Sequence, residues 1–140
     1  MEDCYTLQYS ENKINILVVD DDPDIVSILK LGLMRQGFNP VTFTDPKLAL
    51  EHFGLNHKNY DLVISDIRMP TMNGFEFVKK VKRLNPTVKV FCMTAFEIDN
   101  DEWSNVLPSV KIDEFIQKPF TLEKIGKSVS THFPILKEAS

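Results

Sequence analysis

The chain is poor in the residues that support several common functions. Of its 140 residues only two are cysteine, Cys4 and Cys92. They lack metal-site spacing, and one sits in the opening tail while the other lies in an apolar run. No disulfide is expected, and a reducing compartment fits best. The three histidines, His52, His57 and His132, show no ligand spacing either and read as surface residues. No apolar run approaches the roughly 20 residues that cross a bilayer. The opening MEDCYTLQYSENK is polar and carries acids, unlike a signal peptide. A cytoplasmic protein without a membrane role is expected. Basic residues number 16 against 20 acids, for a net charge of −4. A nucleic-acid surface would require a basic patch, so no nucleic-acid partner is expected. Internal repeats, low-complexity stretches and inter-domain linkers are all absent.

What is present suits one globular domain, with 43% hydrophobic and 26% charged residues. A chain of this size buries about two thirds of its unfolded surface and needs no covalent or metal staple. Residues 1–13 show no period and read as a loose tail, and 134–140 as another. Ile14 to Val19 (INILVV) is a β-branched run fit for a strand buried on both faces. It stops at Asp20-Asp21-Asp22-Pro23. There Asp22 suits an N-cap and Pro23 the first helical position. Ile25, Ile28, Leu29 and Leu33 follow helical spacing, and Gly37 ends the helix.

Val41 to Thr44 reads as a second strand, and Asp45-Pro46 opens a second helix reaching about Phe53 or Leu55. Leu62 to Ser65 is a third strand. Gly74 to Leu84 is a third helix, with Phe75, Phe77, Val78 and Val81 inward and Lys79, Lys80, Lys82 and Arg83 as a solvated face. Val88 to Met93 is a fourth strand ending at Thr94. Asp99 to about Leu107 suits a short helix cut by Pro108, Phe115-Ile116 a brief fifth strand, and Leu122 to Phe133 a closing helix. Strands alternating with helices imply βαβ units and a parallel sheet with helices on both faces. All strand C-terminal ends then share one edge, where open α/β sheets bind ligands. Asp20 to Asp22, Asp66, Thr94 and Lys118 end four different strands and converge there.

Several acids in one crevice repel, and a divalent cation removes the conflict. Hard oxygen donors favour magnesium, which keeps room for phosphate oxygens. Lys118 adds a cation and Thr94 a hydroxyl. A carboxylate nucleophile with these neighbours has the parts of a phosphoryl-transfer site. Asp66, where an apolar strand runs into the loop Pro70-Asn73-Gly74, is the candidate acceptor. It needs no general base, since a carboxylate is ionised at neutral pH.

The segments ILVVDDDPDI, DLVISDIRMPTMNG, FCMTAF and FIQKPF, in that order, resemble the receiver domain of two-component response regulators. Asp66 lies 45 positions after Asp21, and the resemblance covers about Ile14 to Phe133. It implies a flavodoxin-like, doubly wound five-stranded parallel sheet of order 2-1-3-4-5, with a receiver domain over 14–133. It implies that Asp66 accepts a phosphoryl group from a sensor histidine kinase or a histidine phosphotransfer protein. Mg2+ (or Mn2+) would be held by Asp21, Asp66 and the Arg68 backbone carbonyl, with Asp20 acting through water. Lys118 would contact the phosphoryl group, and the Lys118-Pro119 bond would be cis. Thr94 and Phe115 would act as switch residues, and Arg68 and Phe96 would tune hydrolysis. The face made by the fourth helix, fifth strand and closing helix would carry the signal to a downstream protein.

One stretch departs from the family. AFEIDNDEWSNVLPSVKIDEF carries Pro108 and no glycine, where receivers have a regular helix and a Gly-Ala pair; Trp103 there is packed or marks a partner surface. With only 134–140 after the closing helix, a single-domain, chemotaxis-regulator-like protein is expected. It is not expected to be an enzyme beyond its own phosphorylation and dephosphorylation. Two rivals are an aspartate-dependent phosphatase, which would carry an acid where Arg68 stands, and a receiver-like interaction module that is not phosphorylated.

Overall fold

The computed structural model describes residues 13–95 and 110–134. Five parallel strands, β1 (Asn15–Val19), β2 (Asn39–Phe43), β3 (Leu62–Asp66), β4 (Lys89–Thr94) and β5 (Glu114–Gln117), form one sheet in the order β2-β1-β3-β4-β5. The described α-helices are α1 (Pro23–Arg35), α2 (Pro46–Asn56), α3 (Gly74–Leu84) and α4 (Leu122–His132). This is the doubly wound, flavodoxin-like arrangement expected.

Each of these α-helices starts at a side-chain cap. Asp22, Asp45 and Asn73 accept the N–H two residues on at 2.8–2.9 Å, and Thr121 accepts that of Lys124 at 3.1 Å. Pro23 and Pro46 follow their caps at the first helical position, where the missing N–H costs nothing. Losing such a cap costs about 1 kcal/mol.

The sheet divides two apolar layers. Leu17, Val19, Val63, Val90 and Cys92 pack with Phe53 of α2 and Phe77, Val78 and Val81 of α3. Ile16, Val18, Ile64, Phe91 and Met93 pack with Leu29 and Leu33 of α1 and Ile125 and Val129 of α4. Every residue of β1 and β3 is buried, as two-sided coverage demands. With both faces covered, the open ground left for chemistry is the edge where the strands end.

The structure corrects some details. β2 begins two residues before the expected Val41 and contains Pro40; as an edge strand paired only with β1, it tolerates a residue that donates no ladder bond. In α1 the inward position belongs to Val26, while Ile28 is half exposed. Lys82 leaves the solvated face of α3. Its ammonium donates to the Val88 carbonyl and lies 3.6 Å from Asp113, and burial pulls it below its ordinary pKa. The histidines are half buried rather than surface residues. His52 Nε2 is 2.6 Å from the Tyr60 hydroxyl, and His132 Nε2 is 3.1 Å from Glu114. The His57 Nδ1 atom is buried without a hydrogen-bond partner. The helix expected over Asp99 to Leu107, with Phe96, Trp103 and Pro108, lies outside the described residues. No helix among the described residues is long and apolar enough to cross a membrane.

Candidate functional site

Asp20 follows β1 directly, Asp66 is the last residue of β3, and Lys118 follows β5, so the parallel sheet brings all three to one edge. Asp20, Asp21 and Asp66 each offer a carboxylate oxygen within 4.8 Å of the others. Asp20 is fully buried, Asp66 nearly so, and Asp21 is exposed. The Lys118 ammonium donates to Asp20 Oδ2 at 2.9 Å and stands 3.4 Å from Asp66 Oδ1. The other Asp20 oxygen accepts the Asp22 N–H at 2.9 Å. Both Asp20 oxygens are thus engaged within the protein, which the sequence did not reveal.

Three carboxylates against one ammonium leave the crevice short of positive charge. Asp66 registers this. Burial first, then the neighbouring Asp20 and more weakly Asp21, push its carboxyl above the usual range, and Lys118 only partly offsets them. Burial pulls Lys118 down, but its hydrogen bond and charge contact with Asp20, and then Asp66, outweigh that and hold it above the ordinary lysine value. A set of hard oxygen donors with an unmet need for positive charge fits a divalent cation such as magnesium. The residues that could hold it are Asp21 and Asp66, with Asp20 behind them.

The remaining candidates surround this cluster unevenly. Thr94 closes β4 with 7% exposure, and its carbonyl accepts the Lys118 N–H at 2.7 Å, tying the ends of β4 and β5. The Lys118-Pro119 bond is cis. Arg68 is exposed in the loop after β3 and, with Asp21, Met72 and Glu76, lines an open cleft of about 560 Å³ beside the acids. A larger hollow of about 940 Å³, between the end of α1 and α4, shares no residue with the site. Phe115 lies opposite Cys92, half buried against the α2–α3 layer. Phe96 lies outside the described residues.

Sequence reasoning missed two neighbours of Asp66. The buried Ser65 hydroxyl donates to the Asp66 carbonyl at 2.9 Å. Gly74 packs against the same carbonyl so closely that a Cβ would overlap it. The glycine was legible only as a residue where a loop meets a helix, and a serine ending an apolar run gave no signal.

Comparison with known proteins agrees with the geometry. The family model for the response regulator receiver domain matches residues 16–130. The transcriptional regulatory protein ZraR of Klebsiella oxytoca is 36% identical over 121 residues, covering 86% of this chain and 26% of that protein. The chain therefore spans about a quarter of the length of this curated relative. Among solved structures, Vibrio cholerae chemotaxis protein CheY4 superposes with a TM-score of 0.76 at 27% identity, over 85% of this chain and 98% of that one. The CheX-CheY-BeF3-Mg+2 complex from Borrelia burgdorferi gives 0.77 at 26%, over 86% and 89%. Fold, acidic crevice and family match concur: the chain belongs to the response regulator receiver domain family.

Proposed function

We propose that this receiver domain, running over 14–133, takes a phosphoryl group onto Asp66 from a phosphohistidine of a sensor histidine kinase or a histidine phosphotransfer protein in the cytoplasm. One observation carries the reading: three acids and one ammonium, delivered by three separate strands, meet at the sheet's carboxyl edge.

An Asp66 carboxylate oxygen attacks phosphorus while the phosphorus–nitrogen bond of the donor breaks. The electron pair stays on the imidazole nitrogen, which takes a proton from solvent. Magnesium or manganese, when bound, supplies positive charge to the transferring oxygens. Asp21, Asp66 and the Arg68 carbonyl would hold it. Asp20 would act on it through water, a reading supported by the engagement of both its oxygens with Lys118 and Asp22. Lys118, already 3.4 Å from Asp66, turns to a phosphoryl oxygen.

The phosphoryl group carries a charge of roughly −1.5 to −2 where the carboxylate carried −1, and it gives Thr94 and Lys118 a stronger partner. Phe115, with β5 and α4, relays the change to a downstream protein. Arg68 and Phe96 slow hydrolysis by crowding the attacking water. The chain is a signalling element whose only chemistry is on itself.

The test is incubation with phosphoramidate and magnesium followed by intact mass. One added phosphoryl group is expected, absent without the metal and absent in Asp66→Asn. An unmodified wild-type chain, folded and saturated with magnesium, would overturn the reading.

A further inference from the structure

The peptide joining Asp66 to Ile67 is held from several directions. Its carbonyl oxygen accepts the Ser65 hydroxyl at 2.9 Å. A Cβ on Gly74 would overlap that oxygen and stand 2.5 Å from Ile67 Cα. The peptide's N–H donates to the Met93 carbonyl of β4 at 3.1 Å, and the next carbonyl, of Ile67, accepts the Gly74 N–H at 2.7 Å. The Gly74 approach is backbone against backbone, so no rotamer change can relieve an added side chain.

Ser65 is fully buried, on a strand whose preceding residues Leu62, Val63 and Ile64 are apolar. A β-branched apolar residue would suit that position better by propensity and burial. The hydroxyl breaks the pattern, and what it does there is grip the carbonyl of the reacting residue. A tilt of this peptide displaces the Asp66 Cα, and with it the carboxylate, and shifts the Arg68 carbonyl two peptides further on. Phosphoryl transfer depends mostly on placement, and a misplacement of about 1 Å can cost 100-fold.

We propose that Ser65 and Gly74 are positioning residues for phosphoryl acceptance, fixing the Asp66–Ile67 peptide and so aiming the Asp66 carboxylate. The inference rests on Asp66 being the acceptor.

The test compares wild type, Ser65→Ala, Ser65→Thr, Gly74→Ala and Val129→Ala. Phosphorylation by phosphoramidate is followed by intact mass across a magnesium titration. Amide hydrogen exchange is measured on the metal-free proteins. In Ser65→Ala the maximal rate at saturating magnesium falls about tenfold, and Ser65→Thr restores it to within about twofold. Ile67 N–H exchange in Ser65→Ala rises about tenfold while Val18, in the neighbouring strand, is unchanged. Gly74→Ala falls about 100-fold; should it fail to fold, the Ser65 pair decides. Val129→Ala, in the opposite apolar layer, loses stability and keeps the wild-type rate, which separates placement from general loosening. A Ser65→Ala protein with wild-type rate and unchanged Ile67 exchange overturns the inference alone. A wild-type chain that takes no phosphoryl group overturns the acceptor reading beneath it.

Discussion

Removing one charge from the acidic cluster should stabilise the metal-free protein. Two unit like charges 4.8 Å apart, the outer limit of the spacing between the Asp20, Asp21 and Asp66 oxygens, repel by about 3–4 kcal/mol at an effective dielectric near 20. Asp21 is exposed, so solvent and salt screen most of its share. Asp20 is fully buried, and its share survives. Lys118, 3.4 Å from Asp66, returns about 5 kcal/mol on the same scale but divides its attraction with Asp20. Burial of the Asp66 charge adds a cost that asparagine does not carry. The balance is the raised Asp66 carboxyl. On that balance of repulsion against a shared attraction, Asp66→Asn should gain on the order of 1 kcal/mol at neutral pH without metal, or roughly 3–4 °C in Tm for a domain of this size. A carboxyl whose folded pKa lies above its unfolded value costs stability while ionised. That cost shrinks as pH falls through the folded pKa and is gone below the unfolded value near 3.8. Urea unfolding with chelator across this range reads both features. A variant no more stable than wild type at neutral pH, or a gain that persists on acidification, would refute the reasoning.

Other expectations follow from the same structure. Lys118→Met leaves Asp20 buried without its ammonium partner, so metal-free stability should fall by about 2–4 kcal/mol in urea unfolding, opposite in sign to Asp66→Asn. Phe77→Ala empties a fully buried site between α3 and the sheet and should cost about 3–5 kcal/mol by the same assay. Cys92 is fully buried, and burial, with a smaller push from Asp66, raises its thiol to about 12. In a Cys4→Ser background it should resist an aqueous disulfide reagent until urea unfolds the chain.

Much of this molecule is legible from residues alone, because its strands are continuous apolar runs ended by acids, prolines and asparagines that cap helices. Asp22-Pro23 and Asp45-Pro46 place two helix starts to the residue. The convergence of Asp20, Asp66 and Lys118 follows from parallel strands sharing one edge. What stayed hidden depends on three-dimensional contacts. Periodicity alone cannot tell Val26 from Ile25 or Ile28 as the inward residue, since a helical stripe is wider than one position. Lys82 is drawn inward by Asp113, a partner some thirty positions away that no local pattern links to it. Ser65 matters through a bond to its neighbour's carbonyl, and Gly74 through the space it leaves. Neither has a spacing to read.

Everything proposed for this chain turns on Asp66 being the residue that becomes phosphorylated. Treatment of the phosphorylated chain with borohydride reduces an aspartyl phosphate to homoserine, and peptide mass spectrometry then locates the change. Homoserine is expected at position 66 and at no other aspartate, with Asp20 and Asp21 unaltered. Reduction at another acid, or a phosphoryl group that survives borohydride on a serine, threonine or histidine, would contradict it.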